Sequence, residues 1–80
     1  MNIAEFRLLS HTEQEEVVAD SGIFLLNKVD NNIMCDVYKV FYFLVKFCYD
    51  IGKHERPKIT AYPDFETLDS NIVILVPSDN

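Results

Sequence analysis

The side chains that could serve as nucleophiles or bases are two cysteines and two histidines, Cys35, Cys48, His11 and His54. Nucleophilic catalysis requires a Ser or Cys beside a base that a third group orients. We expect His11 at the start of a helix and His54 in a loop, both distant from the cysteines. The sequence therefore predicts no catalytic Cys–His pair.

Metal and cofactor motifs are absent from the sequence. It contains neither the Cys-x-x-Cys nor the His-x-x-x-His spacing that is typical of metal ligands. The nearest cluster, Asp50, His54 and Glu55, is typical of a solvated loop. Gly22 and Gly52 are the two glycines, so no glycine-rich phosphate loop exists. We predict no catalytic residue, no metal site and no cofactor.

Asp36 is the one acid that is predicted to point toward the core side of the sheet. A perturbed carboxylate beside a pocket could serve a small-ligand binder or a weak enzyme, with the pocket lying between helix and sheet near Asp36 and Tyr38. The commoner alternative is an acid at the sheet rim with a backbone or tyrosine partner. We therefore expect a non-enzymatic protein and keep the ligand pocket as the alternative.

The length and charge of the chain limit its class. Eighty residues form one domain, residues 1–80, and a chain of this size buries only about 60% of its unfolded surface. Association, a metal or a disulfide often supplies the missing stability. The net charge is −6, from 7 basic and 13 acidic residues. This balance argues against nucleic-acid and anionic membrane partners, both of which attract Lys and Arg.

The cellular location is predicted from the terminus and the apolar runs. The stretch Met1–Leu9 lacks the charged and apolar regions of a signal peptide, and no apolar run approaches the ~20 residues of a membrane span. We therefore predict a cytoplasmic protein in which Cys35 and Cys48 are packed free thiols. A cross-strand disulfide between them is the alternative.

A helix is predicted to begin at Ser10, because Ser10 and Glu13 form a capping box. The N-terminal segment before it is expected to cover a core edge. The apolar seam of the helix comprises Gln14, Val17, Val18 and Ser21. Gly22 is expected to end the helix in the left-handed conformation.

Strands are predicted from runs of β-branched and aromatic residues between turn signals. The fold class is α+β: an N-terminal helix packed on one face of a four-stranded antiparallel meander sheet, with a short C-terminal helix or extended tail. A four-residue loop, Val40–Phe43, is expected because Phe41 and Tyr42 are unfavourable in a two-residue turn. The predicted strands are Ile23–Val29, Ile33–Lys39, Tyr42–Asp50 and Lys58–Tyr62. Asp64 is expected to cap a helix over Phe65–Ser70, and Ile72–Val76 is predicted to be helical before an extended segment.

Side-chain alternation divides the predicted sheet into two faces. Val29 is predicted opposite Met34, Leu25 opposite Tyr38, and Cys35 opposite Cys48. The first face, the expected core, collects Ile23, Leu25, Val29, Met34, Tyr38, Val40, Phe43, Val45, Phe47 and Tyr49. The second face collects Phe24, Leu26, Lys28, Cys35, Val37, Lys39, Tyr42, Leu44, Lys46 and Cys48.

The second face mixes lysines with apolar groups, which is typical of a partly exposed surface. We predict that this face binds a partner or a second copy, giving a homodimer. The predicted interface residues are Phe24, Leu26, Val37, Tyr42, Leu44 and Lys46. An ordinary solvated sheet face is the alternative. A further possibility is an inhibitor-like partner of a basic protein, acting through Glu13, Glu15, Glu16 and Asp20.

Three stretches in order, TEQEEVVADSGIFL, VYKVFYFLVKFCYD and KITAYPDFETLD, resemble a family of short hypothetical proteins found in Bacteroidales-type bacteria. The resemblance covers about Phe6 to Val76. It implies one compact α+β unit in a bacterial cytoplasm and no particular chemistry. Lys46 stands where that family tends to carry an acid, and Leu44 and Cys48 where it tends to carry tyrosines. Because all three lie on the second face, a partner bound there would differ from that of the relatives.

Overall fold

The computed structural model describes residues 1–71, and the side chains of residues 1–68. The predicted conformation of Ile72–Val76 lies outside the described residues. The elements are α1 (Ile3–Arg7), α2 (His11–Ser21), β1 (Gly22–Asp30), β2 (Ile33–Val40), β3 (Phe43–Asp50), β4 (Lys58–Tyr62) and α3 (Phe65–Asn71). The strands form one antiparallel sheet in the order β1-β2-β3-β4. The predicted α+β meander with an N-terminal helix and a short C-terminal helix is therefore confirmed.

Both N-terminal helices begin at capping boxes. The Ser10 hydroxyl accepts from the Glu13 amide, while the Glu13 carboxylate accepts from the Ser10 amide, as predicted. Asn2 and Glu5 repeat the arrangement at α1. The sequence prediction missed α1, because five residues are too few for a recognisable period.

Gly22 connects α2 to β1 without a loop. Its backbone is extended, with φ −82° and ψ 145°, so the predicted left-handed cap is wrong. Its amide donates to Val18 O, and a Cβ at this position would lie 2.5 Å from that same oxygen. Glycine is therefore required here for close approach and not for a special backbone conformation.

The turn between β2 and β3 is tighter than predicted. Val40 pairs with Phe43, so the connection is a two-residue turn and the predicted four-residue loop is wrong. Phe41 adopts φ 54°, a conformation that non-glycine residues rarely adopt. Val40 and Phe43 are both buried in the core, and packing of the two strands therefore overrides the local preference of Phe41.

Two apolar clusters hold the sheet, one on each face. The first face packs against α1 and α2 through Phe6 and Val18, which contact the sheet residues Val40, Phe43, Val45 and Ala61. The second face packs against α3 through Leu68, which is fully buried with Val37, Leu44 and Tyr62. Within residues 1–68, the sheet is thus covered on both faces, but only in part.

Candidate interaction surface

The strand β1 contains a bulge that changes which of its residues face α2. Phe24 pairs with Tyr38 and Leu26 pairs with Val37, so Leu25 is an additional residue between the pairs. The prediction that Leu25 lies opposite Tyr38 is therefore wrong. Phe24 lies on the first face, where its ring meets that of Tyr38 edge-on at 5.6 Å, and Ile23 moves to the second face. From Leu26 to Asp30 the pairing agrees with the prediction at Val29 and Met34.

The six predicted interface residues do not form one exposed patch. Val37 and Leu44 are buried beneath Leu68, so the expectation that they are exposed is wrong: helix α3 covers them. Phe24 lies on the other face. Leu26 is half-buried against the same cluster, and Lys46 places its ammonium 5.2 Å from the centre of the Tyr62 ring. Tyr42, in the β2–β3 turn, is 94% exposed.

Exposed apolar side chains instead follow the strand β1, which forms one edge of the sheet. Four of them define what we call the open-edge surface: Ile23 (63% exposed), Phe24 (54%), Leu25 (37%) and Val29 (49%). No side chain of residues 1–68 hydrogen-bonds to the outer backbone of this strand. A long apolar edge without cover is a template for pairing with another strand.

Side chains of the N-terminal region engage two carbonyl groups at the opposite edge, β4. The Arg7 guanidinium donates to Ala61 O at 2.9 Å, and His11 Nε2 donates to Pro57 O at 2.7 Å. Pro57 has no amide to offer, and the strand that follows it is only five residues long. Within residues 1–68 the two edges therefore differ: side chains engage carbonyls at the β4 edge, whereas no side chain is bonded to the outer backbone of β1.

The alternative pocket near Asp36 and Tyr38 is only partly formed. The Asp36 carboxylate accepts from the Asn27 amide group at 2.6 Å and from the Tyr49 hydroxyl at 3.3 Å, so it has partners at the sheet surface. Partial burial and the nearby Asp36 charge raise the pKa of Tyr49 above its usual range. Tyr38 lines an open groove of about 390 Å³ together with Phe24 and Phe47, but Asp36 does not line it.

The cysteines form a disulfide in the structure, so the preferred prediction of free thiols is wrong. Cys35 lies opposite Cys48 in the predicted register, with 4.2 Å between their Cα atoms. This spacing is that of a non-hydrogen-bonded pair, where opposing side chains come closest. The sequence predicted that Cys35 lies opposite Cys48, but the predicted cytoplasmic location favoured reduced thiols.

The histidines are separate from this disulfide. His11 contacts Pro57 O, and its Nδ1 lies 3.6 Å from the Glu15 carboxylate, while His54 is exposed in the loop before Pro57. Within residues 1–71, no three His, Cys, Asp or Glu side chains are placed to hold a metal ion. No helix in that range has the length and apolar character needed to cross a membrane.

The acids of α2, proposed to attract a basic partner, are partly occupied within the chain. Glu13 belongs to the capping box, and Glu15 accepts from the Arg56 guanidinium at 2.9 Å. Glu16 and Asp20 are exposed. The helix therefore presents fewer unengaged carboxylates than its sequence implied.

No family model, curated protein or solved structure matches this chain. The resemblance to the Bacteroidales-type family therefore stays a prediction.

Proposed function

We propose that this protein is a non-enzymatic interaction module that self-associates, or binds a protein partner, through the open-edge surface of β1. The observation that carries the proposal is the contrast between the two sheet edges. Arg7, His11 and Pro57 close β4, whereas β1 exposes Ile23, Phe24, Leu25 and Val29 along a nine-residue strand.

The proposal keeps the predicted mode of binding and moves its location. The second face offers little apolar surface at its centre, because Leu68 covers Val37 and Leu44. Small domains often gain stability by association, and no side chain of residues 1–68 is bonded to the outer backbone of β1, which leaves this strand available for pairing. A homodimer would need only a second copy of this chain and no other protein.

Sedimentation velocity over a wide concentration range tests this proposal. We expect the wild-type protein to associate as its concentration rises, and Val29→Glu to shift the population toward monomer by placing a charge in the contact. Leu8→Glu is the matched control, because Leu8 is equally apolar, 87% exposed, and follows the helix that contacts β4.

Two outcomes would contradict the proposal. A wild-type protein that stays monomeric at every concentration would contradict self-association. Equal effects of Val29→Glu and Leu8→Glu would contradict the open-edge surface as the location of the contact.

The second candidate function is a small-ligand binder, favoured by the groove that Tyr38 lines with Phe24 and Phe47. Its lining is mainly apolar and aromatic, so its ligand would be a hydrophobic molecule. Binding of an environment-sensitive apolar dye tests this candidate. Dye binding that Tyr38→Ala leaves unchanged would contradict it.

A cytoplasmic location stays a prediction that the structure does not favour. Disulfides persist mainly in oxidising compartments, and Cys35 is bonded to Cys48.

A further inference from the structure

We propose that two copies of this chain pair their β1 strands antiparallel about a two-fold axis at Asn27, which forms one continuous eight-stranded sheet. The inference rests on the proposed function and specifies its partner and register.

The direction of the outer backbone groups follows from one hydrogen bond. The Ile51 amide donates to Asn32 O at 2.7 Å, so Asn32 directs its carbonyl toward β3. Successive residues of a strand direct their backbone groups to opposite neighbours. The amide and carbonyl groups of Ile33 therefore point toward its partner Asp30 on β1. Counting back from Asp30, Val29 and Asn27 direct their amide and carbonyl groups outward, and Lys28 directs its groups inward.

An axis at Asn27 uses these outward groups best. Asn27 then pairs with Asn27 of the second copy, and Val29 meets the bulge at Phe24 and Leu25 of that copy. Val29 and Phe24 lie on the same face of the sheet, so the contact joins two exposed apolar side chains.

Neighbouring registers are less favourable because of charge and of the faces on which the opposing side chains lie. An axis at Lys28 would place two lysines directly opposite each other, which destabilises a strand pair. An axis at Leu26 would place Val29 opposite Ile23, whose side chain lies on the other face of the sheet, so the two apolar side chains would not meet. With the axis at Asn27, Lys28 lies opposite Leu26 of the second copy, and no like charges oppose each other.

The closure of β4 indicates why β1 pairs with its own copy. Within residues 1–71, the Ala61 and Pro57 carbonyls of the β4 edge are engaged by Arg7 and His11, so β1 of one copy does not find an open β4 on another. The contact that remains is the symmetric one between two β1 strands, in which each copy contributes the same surface.

The test compares Val29→Pro with Val29→Ala by sedimentation velocity. Proline removes an outward amide without removing a hydrogen bond to β2, as edge strands tolerate. Alanine shortens the same side chain and keeps the amide. We expect dimerisation of Val29→Pro to be about tenfold to hundredfold weaker than that of Val29→Ala. Circular dichroism of both variants verifies that the monomer is folded.

Cross-linking tests the register. Asn27→Cys should give a covalent dimer under mild oxidation, because the two positions face each other. Asp30→Cys is the control, since positions 30 of the two copies would be about 20 Å apart. A cross-link at position 30 and none at position 27 overturns the register.

The remaining outcomes separate this inference from the proposed function. If the wild-type protein dimerises and both Val29 variants dimerise equally, strand pairing is overturned while an apolar contact at the open-edge surface survives. A wild-type monomer whose Asn27 and Val29 amides exchange slowly with solvent would show that the chain's own residues occupy the edge, and overturns the inference. Fast exchange in a persistent monomer overturns it as well.

Discussion

Gly22 shows how one missing side chain allows a helix to pass directly into a strand. Its backbone lies in an ordinary extended region, but a Cβ would approach Val18 O to 2.5 Å and Val18 Cγ1 to 2.9 Å. Because one of these atoms belongs to the backbone of α2, the conflict is relieved only by moving helix and strand apart. The junction therefore depends on glycine for space.

We expect Gly22→Ala to lower the free energy of unfolding by about 1–3 kcal/mol, the usual cost of overpacking. Urea denaturation measures the change. Gly52→Ala is the control, because its Cβ would meet only Asp50 Oδ1 at 3.5 Å and its φ is not positive. That variant should be unchanged or up to about 1 kcal/mol more stable, and equal losses at both glycines would contradict the steric explanation.

Residue-level patterns in the sequence were most informative where the chemistry is local. Ser10 with Glu13 predicted the start of α2, and Asp64 predicted the start of α3, where its carboxylate accepts from the Thr67 amide. The hydrogen bond from the Thr67 amide lowers the pKa of Asp64 below its usual range. Gly22 was predicted to end the helix. The requirement for glycine comes from the close approach of Val18 O, which only the three-dimensional structure shows.

At the scale of elements, α3 determines how much of the second face is available. Leu68 is fully buried against Val37, Leu44 and Tyr62, although α3 has only seven residues. So short a helix has little stability of its own. The apolar contact of Leu68 therefore contributes much to holding it against the sheet.

Leu68→Ala should lower the free energy of unfolding by about 2–5 kcal/mol, as for other buried leucines. Phe65→Ala is the control on the same helix, since Phe65 is half-exposed and should cost less. Thermal or urea unfolding followed by circular dichroism measures both. A Leu68→Ala protein as stable as Phe65→Ala would contradict the cover that α3 provides.

The features that the sequence did not predict have two physical causes, a change of register and contacts between residues that are distant in sequence. The strands, the meander order and the Cys35–Cys48 register follow from alternation and turn residues. The bulge at Leu25 does not, because one additional residue changes the face of Ile23 and Phe24 without changing composition. The open edge was likewise missed, since the closure of β4 depends on Arg7 and His11, which are distant in sequence.

At the scale of the whole molecule, the disulfide joins the two central strands of a chain with a small core. Cys35 and Cys48 are separated by 13 positions, and the loop they close includes the turn at Phe41. The crosslink limits the conformations of the unfolded chain, which stabilises the folded state by comparison. The small clusters on the two faces are thereby supplemented by a covalent constraint.

We expect a reducing agent, or the double change Cys35→Ala and Cys48→Ala, to lower the free energy of unfolding by about 3 kcal/mol. Denaturation with and without dithiothreitol measures this difference. The double variant serves as the control, because the reagent should not alter its unfolding. A wild-type midpoint that is the same in both conditions would contradict a stabilising role for the bond.

The caps that Arg7 and His11 place on β4 also set the size of any assembly built by strand addition. A sheet whose two edges were both open could add copies without end and form a filament. In the dimer that we propose, the β1–β1 contact would occupy the open edge of each copy and leave a β4 edge at either end of the sheet. Because Arg7 and His11 engage carbonyls at that edge, we expect association by this route to stop at two chains and not to continue into a fibre.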